Sequence, residues 1–146
     1  MRPRVRTARA RVLPAPPAAV WRVAGDPGQL ARWWPGVVRV EGADRDGFTQ
    51  VHRTPKGRTV RADFRVAARR EPEELVCVQL VDGTPFERLL SASQVAVRLA
   101  PQDGGTRVEL ELRQTWRGIA RLGALLGRSA ARRNLDAALD GLAAAV

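Results

Sequence analysis

Five clusters of turn-forming residues punctuate the chain after Gly36, and their spacing constrains the fold more than any other feature. They are Asp44-Arg45-Asp46-Gly47, Pro55-Lys56-Gly57, Glu71-Pro72-Glu73, Asp82-Gly83-Thr84-Pro85 and Gln102-Asp103-Gly104-Gly105. Glycine supplies positive φ and proline a fixed φ, so each cluster favours a local chain reversal. The intervening stretches are rich in β-formers and run over about Val37–Ala43, Phe48–Thr54, Arg58–Arg69, Glu74–Val81, Phe86–Ala100 and Thr106–Thr115. Strands joined by tight turns pair as an antiparallel meander. Alternation gives the sheet one dry face: Val60, Ala62, Phe64 and Val66 oppose Arg61, Asp63 and Arg65, and Val108, Leu110 and Leu112 oppose Arg107, Glu109, Glu111 and Arg113.

Before the meander, residues from Val5 to Leu13 alternate with Ala8, Ala10 and Val12 on one face and Thr7, Arg9 and Arg11 on the other, the pattern of a half-buried strand. Pro14-Ala15-Pro16-Pro17 stops it. Pro17 suits the first turn of a short helix through Val20, Trp21 and Val23, which Gly25 ends. Asp26-Pro27 then reads as the N-cap and first position of a second short helix carrying Leu30, Trp33 and Trp34, halted by Pro35-Gly36. After the meander, Ile119, Leu122, Leu126, Leu135, Leu139, Leu142 and Val146 recur at helical spacing. This predicts an amphipathic helix from about Gly118 to Ala145, roughly 40 Å long. Arg117, Arg121, Arg128 and Arg132 occupy its opposite side, and Gly118, Gly123 and Gly127 predict a kink or frayed start.

The expected architecture is α+β, a seven-stranded curved antiparallel sheet wrapped around one long C-terminal helix, with two short helices between the first and second strands. The 146 residues fit one domain spanning the chain. A twisted sheet of that width curls, and a single cylinder leaves part of the concave side unfilled. A cavity between sheet and helix follows, with the short helices as its lid.

That order of elements resembles the helix-grip fold of the START-like (SRPBCC) superfamily, which includes pathogenesis-related plant allergens, coenzyme Q-binding proteins and bacterial polyketide cyclases. Two pieces carry the resemblance. One is Ala15-Pro16-Pro17-Ala18-Ala19-Val20-Trp21 with Asp26-Pro27 and Leu30-Ala31-Arg32-Trp33-Trp34-Pro35; the other is Gly104-Gly105-Thr106-Arg107-Val108, similar to the hairpin before the last strand and helix of these proteins. The resemblance implies a hydrophobic guest of polyketide, lipid or isoprenoid type. Its use is either cyclisation or dehydration of a polyketone, or non-enzymatic carriage or sensing of a lipid or quinone with docking on a membrane or partner protein.

Composition narrows the alternatives. Cys77 and His52 are the lone cysteine and histidine, which excludes an internal disulfide and a Cys/His zinc cluster. No phosphate loop or dinucleotide fingerprint is present, so no cofactor is expected. The formal charge of +10 comes almost wholly from arginines scattered among Asp and Glu, unlike a nucleic-acid module with clustered cations and stacking aromatics. Peripheral contact with an anionic membrane through the basic side of the terminal helix stays open. No apolar run is long enough to span a bilayer, and Met1-Arg2-Pro3-Arg4-Val5-Arg6 lacks a signal-peptide core, so a cytoplasmic protein is expected.

Two residues are candidates for chemistry. His52 shares a strand face with Phe48, Gln50 and Thr54, and its imidazole would serve as a base for an enolisable ketone if that face is inward; otherwise it is a surface histidine. Arg88, placed with Phe86 and Leu90, would stabilise an enolate or grip a carbonyl, or else snorkel to solvent. The expected lining is Trp34, Gln50, Phe64, Gln79, Phe86, Leu110, Gln114, Trp116, Leu122 and Leu126, with Gln79, Gln94 and Gln114 as polar residues on faces that otherwise read apolar. Cys77, between Leu75 and Gln79 in alternation, reads as an inert buried thiol, and Asp63, Glu109 and Glu111 read as a solvated stripe.

Overall fold

A computed structural model describes residues 4–118 and 127–146. Its seven strands are β1 (Arg4–Leu13), β2 (Val37–Glu41), β3 (Gly47–Arg53), β4 (Thr59–Arg70), β5 (Glu74–Gln79), β6 (Leu90–Gln102) and β7 (Gly105–Trp116). They form one antiparallel sheet in the order β1-β7-β6-β5-β4-β3-β2. The meander read from the turn clusters accounts for six neighbours in succession. The first strand closes the far edge beside the last, and the fold is the helix-grip architecture expected from the sequence.

Between β1 and β2, helix α1 (Pro17–Ala24) opens with a proline at its first position and buries Val20, Trp21, Val23 and Ala24. A 3-10 turn over Pro27–Arg32 follows. Its N-cap Asp26 accepts a hydrogen bond from the Gly28 amide at 2.9 Å, satisfying a donor that the short turn cannot. The turn ends before the tryptophans, so Trp33 and Trp34 sit on the link to β2 rather than on a helix. Their rings meet edge to face with centroids 5.3 Å apart.

Helix α2 spans Arg128–Ala145, about 27 Å of helix, and buries Leu135, Ala138, Leu139 and Leu142 completely. The expected start near Gly118 is not seen there. Arg117 still hydrogen-bonds the sheet edge, its amide donating to the Leu89 carbonyl, and Gly118 takes a left-handed conformation at φ 54° that a helix cannot accommodate. The expected helical stretch with Ile119, Leu122 and Leu126 lies outside the described residues. Gly141 explains how closely α2 seats: a Cβ there would stand 2.3 Å from the Trp33 carbonyl oxygen, so helix and lid touch backbone to backbone.

One face assignment and one expected exposure are overturned. On β1 the side facing α2 carries Val5, Thr7, Arg9, Arg11 and Leu13, whereas Val12 is exposed. Arg9 pairs with Asp136 at 2.8 Å and Arg11 with Asp140, two carboxylates one helical turn apart. Small apolar residues therefore face outward because the inward positions at this edge of the sheet meet the charged flank of the helix.

Glu111 is the second. Its side chain is 2% exposed, under the guanidiniums of Arg6, Arg98 and Arg113, not part of a solvated stripe. Burial alone would raise its pKa, but hydrogen bonds from Arg113, Arg6 and Arg98 outweigh it and hold the carboxyl at about 2. A depressed folded-state pKa contributes stability that is complete above about pH 4.5 and is lost as pH falls through about 2. The arginines are 36% to 57% exposed, which screens the cluster, so the contribution is about 2 kcal/mol rather than the full shift. Urea titrations of Glu111→Gln at pH 7 and pH 2 are expected to show a deficit against the unmodified protein at pH 7 that shrinks at pH 2. A deficit of equal size at both would dissociate the stability from ionisation.

Candidate ligand-binding cavity

The concave face of the sheet does not meet α2 everywhere. A cavity of about 220 Å³ remains, bounded by β3 to β7, the link carrying Trp33 and Trp34, and α2. An apolar cavity of roughly 150 Å³ already accommodates benzene, so this one has room for more than a single ring.

Register places each wall. Phe48, Gln50 and His52 on β3 lie opposite Phe64, Ala62 and Val60 on β4, and cross-strand partners share a face. Because Ala62 and Phe64 belong to the buried core, the histidine face of β3 is the inward one. Phe48 and Phe64 stack, 5.1 Å between centroids and 6° between planes, forming a flat apolar patch. Leu75, Cys77 and Gln79 project from β5, Ser93, Val95 and Val97 from β6, and Leu112 and Gln114 from β7. Ala24, Pro27, Leu30, Trp33 and Trp34 close the side near the short helices, and Asn134 enters from α2.

His52 and Asn134 also line a shallow outer depression with Gly36, Val38 and Pro55. These two side chains therefore stand between the hollow and the outer depression. The His52 ring abuts Gly36 so closely that a Cβ there would stand 2.5 Å from Nε2, and Gly36 itself sits at φ 81°. The positive φ calls for glycine, and a side chain there would also push the imidazole from its place. Partial burial lowers the pKa of His52, which keeps the imidazole neutral at pH 7. Cys77 is pushed up to about 11 by burial, against a smaller opposing effect of Arg69, so its thiol stays protonated and is no nucleophile. No carboxylate, lysine or arginine is among the described residues lining the cavity.

Of the residues expected from sequence, Trp34, Gln50, His52, Phe64, Gln79 and Gln114 come together on this wall. Arg88 does not. Pro85–Arg88 form a 3-10 turn capped by Thr84, whose hydroxyl accepts from the Phe86 amide at 3.2 Å, so β6 starts at Leu90 and strand alternation fails over these residues. Arg88 ends exposed and Phe86 packs half-buried against the core. Leu110 is fully buried in the packed core, and Leu112, two residues on, takes the cavity position. Trp116 closes β7 opposite Leu90 and is not among the described residues lining the cavity, although its indole N–H is also buried without a partner among the described residues, and Gln94 points to the other side of β6 from Ser93 and Val95. Leu122 and Leu126 lie outside the described residues.

Sequence reasoning missed Trp33, Ser93 and Asn134. Ser93 was accessible in principle, since it alternates with Val95 and Val97 on a buried face. Asn134 precedes Ala138 by one helical turn, at the end of the buried stripe. Trp33 carries no periodicity that would orient it.

From residue 4 to residue 146 the sequence matches the family described as polyketide cyclase / dehydrase and lipid transport. The chain belongs to this family. It thereby falls in the START-like superfamily, and hydrophobic small molecules are the guests that the polyketide cyclase / dehydrase family suggests. Among solved structures, the fold is similar to the di-domain ARO/CYC StfQ from the steffimycin biosynthetic pathway, with a TM-score of 0.77 and 15% identity over 97% of this chain and 50% of that one. BexL, the di-domain ARO/CYC of the BE-7585A pathway, gives 0.77 and 15% over 96% and 49%. Protein CV1439 from Chromobacterium violaceum gives 0.73 and 23% over 97% and 96%. This family member spans about half the length of the two ARO/CYC proteins. No curated protein matches it by sequence. Among the described residues, no helix is long and apolar enough to cross a membrane and no cluster of His, Cys, Asp or Glu could hold a metal ion.

Proposed function

We propose that the chain holds an uncharged, hydrophobic polyketone in this cavity and promotes its cyclisation and dehydration. The observation that carries the reading is a hollow whose described lining carries no fixed charge, walled by aromatic and aliphatic groups, with one neutral imidazole on its wall. An apolar wall folds a flexible chain upon itself, and exclusion of water favours reaction between its own groups. His52 takes a proton from a methylene flanked by two carbonyls. The enolate carbon bonds to a carbonyl carbon of the same chain, the resulting alkoxide recovers the proton from the imidazolium, and loss of water leaves the ring unsaturated.

Carriage of an unaltered lipid or quinone is the second reading. It is favoured by the lack, among the described residues, of a carboxylate beside His52 to orient it. Delivery to an anionic membrane would then use exposed cations such as Arg128, Arg132 and Arg133 on α2. Native mass spectrometry of the purified protein separates the two: a stoichiometric unmodified lipid supports carriage, whereas turnover of an added linear polyketone, reduced at least a hundredfold in His52→Ala, supports catalysis. Turnover is expected to hold as pH is lowered through 6.5 and to fall only below it, because burial lowers the imidazole pKa. An optimum lost already above pH 7 would remove His52 as the base.

A further inference from the structure

Two side-chain donors of residues lining the cavity are buried without a hydrogen-bond partner among the described residues: the indole Nε1–H of Trp33 and the amide Nε2–H₂ of Gln79. Trp33 is a buried residue and Gln79 a half-buried one. Trp33 is 4% exposed, clamped against Gly141 of α2, and Gln79 lies opposite Phe64 in the β4–β5 register. Leaving a buried N–H unpaired costs about 1–3 kcal/mol, so two such donors on residues that line one small hollow are a cost that an acceptor supplied from outside the protein would relieve. Both groups donate, and an indole N–H cannot accept. The missing partner is therefore an oxygen acceptor, and the uncharged walls fit a neutral one.

Resting on the ligand-binding reading above, we propose that Trp33 Nε1 and Gln79 Nε2 are the donors that hold carbonyl oxygen of the ligand, fixing its orientation between lid and sheet. The polar character continues along one level of the sheet. Ser93 and Gln114 are cross-strand partners, both on the cavity wall, and Ser93 occupies the β6 position next in register to Gln79. A pure hydrocarbon would satisfy none of these groups. A ketone oxygen carries two lone pairs, so a carbonyl ligand can accept from such donors where a hydrocarbon cannot.

The test compares two probes of one skeleton, 1-tetralone and tetralin, which differ by a carbonyl. Titration of the unmodified protein is expected to favour 1-tetralone, and the ratio of the two dissociation constants to fall about tenfold in the double variant Trp33→Phe/Gln79→Leu while tetralin affinity stays within about twofold. Comparing ratios between the two proteins cancels the hydration difference between the probes. An unchanged ratio, with both probes bound, overturns the donor assignment and leaves the ligand-binding reading standing. Failure of the unmodified protein to bind either probe overturns both. The unmodified protein also gives a readout that needs no variant: saturating 1-tetralone, and not tetralin, is expected to move the Trp33 indole N–H proton resonance downfield. A resonance indifferent to the ketone overturns the assignment.

Discussion

Substituting Gly141 by alanine is expected to destabilise the protein by about 1–3 kcal/mol, although alanine is the better helix former by about 1 kcal/mol. The sign is decided by what the new methyl group meets. Its position would lie 2.3 Å from the Trp33 carbonyl oxygen and 3.1 Å from the carbonyl carbon. These are backbone atoms, which cannot rotate aside as a side chain would, so α2 must lift from the lid or the lid must move with its tryptophans. Either displacement loosens contacts of Leu139 and Leu142, both fully buried. Urea denaturation measures the effect through the transition midpoint. A variant as stable as the parent would show that helix and lid are not in the contact described.

Replacing Val95 by phenylalanine should have the opposite consequence for stability and a severe one for binding. Val95 lies mid-sheet, opposite Cys77 and Leu112, and all three line the cavity. In a packed core the added ring would cost about 1–3 kcal/mol through strain. In a hollow of 220 Å³ it fills space whose emptiness costs on the order of 24 cal/mol per Å³, so the protein should gain about 1 kcal/mol. Affinity for 1-tetralone is expected to fall at least tenfold, because the ring occupies the space the probe requires. A destabilised variant that binds as before would place the ligand elsewhere on the molecule.

The elements legible from sequence were those fixed by local chemistry. Turn clusters such as Asp103-Gly104, with φ of 51° and 77°, impose a reversal wherever they stand. The alternation on β4 survives because one face meets solvent along the strand. Failures arose where a distant partner decided the outcome. His52 could not be oriented from β3 alone; the pairing with Val60 and the burial of neighbouring Ala62 settle its face. Arg9 and Arg11 turn inward because two aspartates more than a hundred residues later await them, and three arginines from three strands roof Glu111. Arg88 failed for a local reason that was readable, since Thr84-Pro85 is itself the start signal of a short helical turn.

The pairing of β1 with β7 also governs how the molecule is born. Ten residue pairs, from Arg4 with Thr115 to Leu13 with Thr106, join segments about a hundred positions apart. Chains emerge from the ribosome amino end first, so the opening strand waits with its backbone donors bare until its mate has been synthesised. Such non-local pairing slows folding and lengthens the interval in which unpaired edges can associate between nascent chains. The four arginines of that waiting segment, Arg4, Arg6, Arg9 and Arg11, supply like-charge repulsion during the vulnerable period.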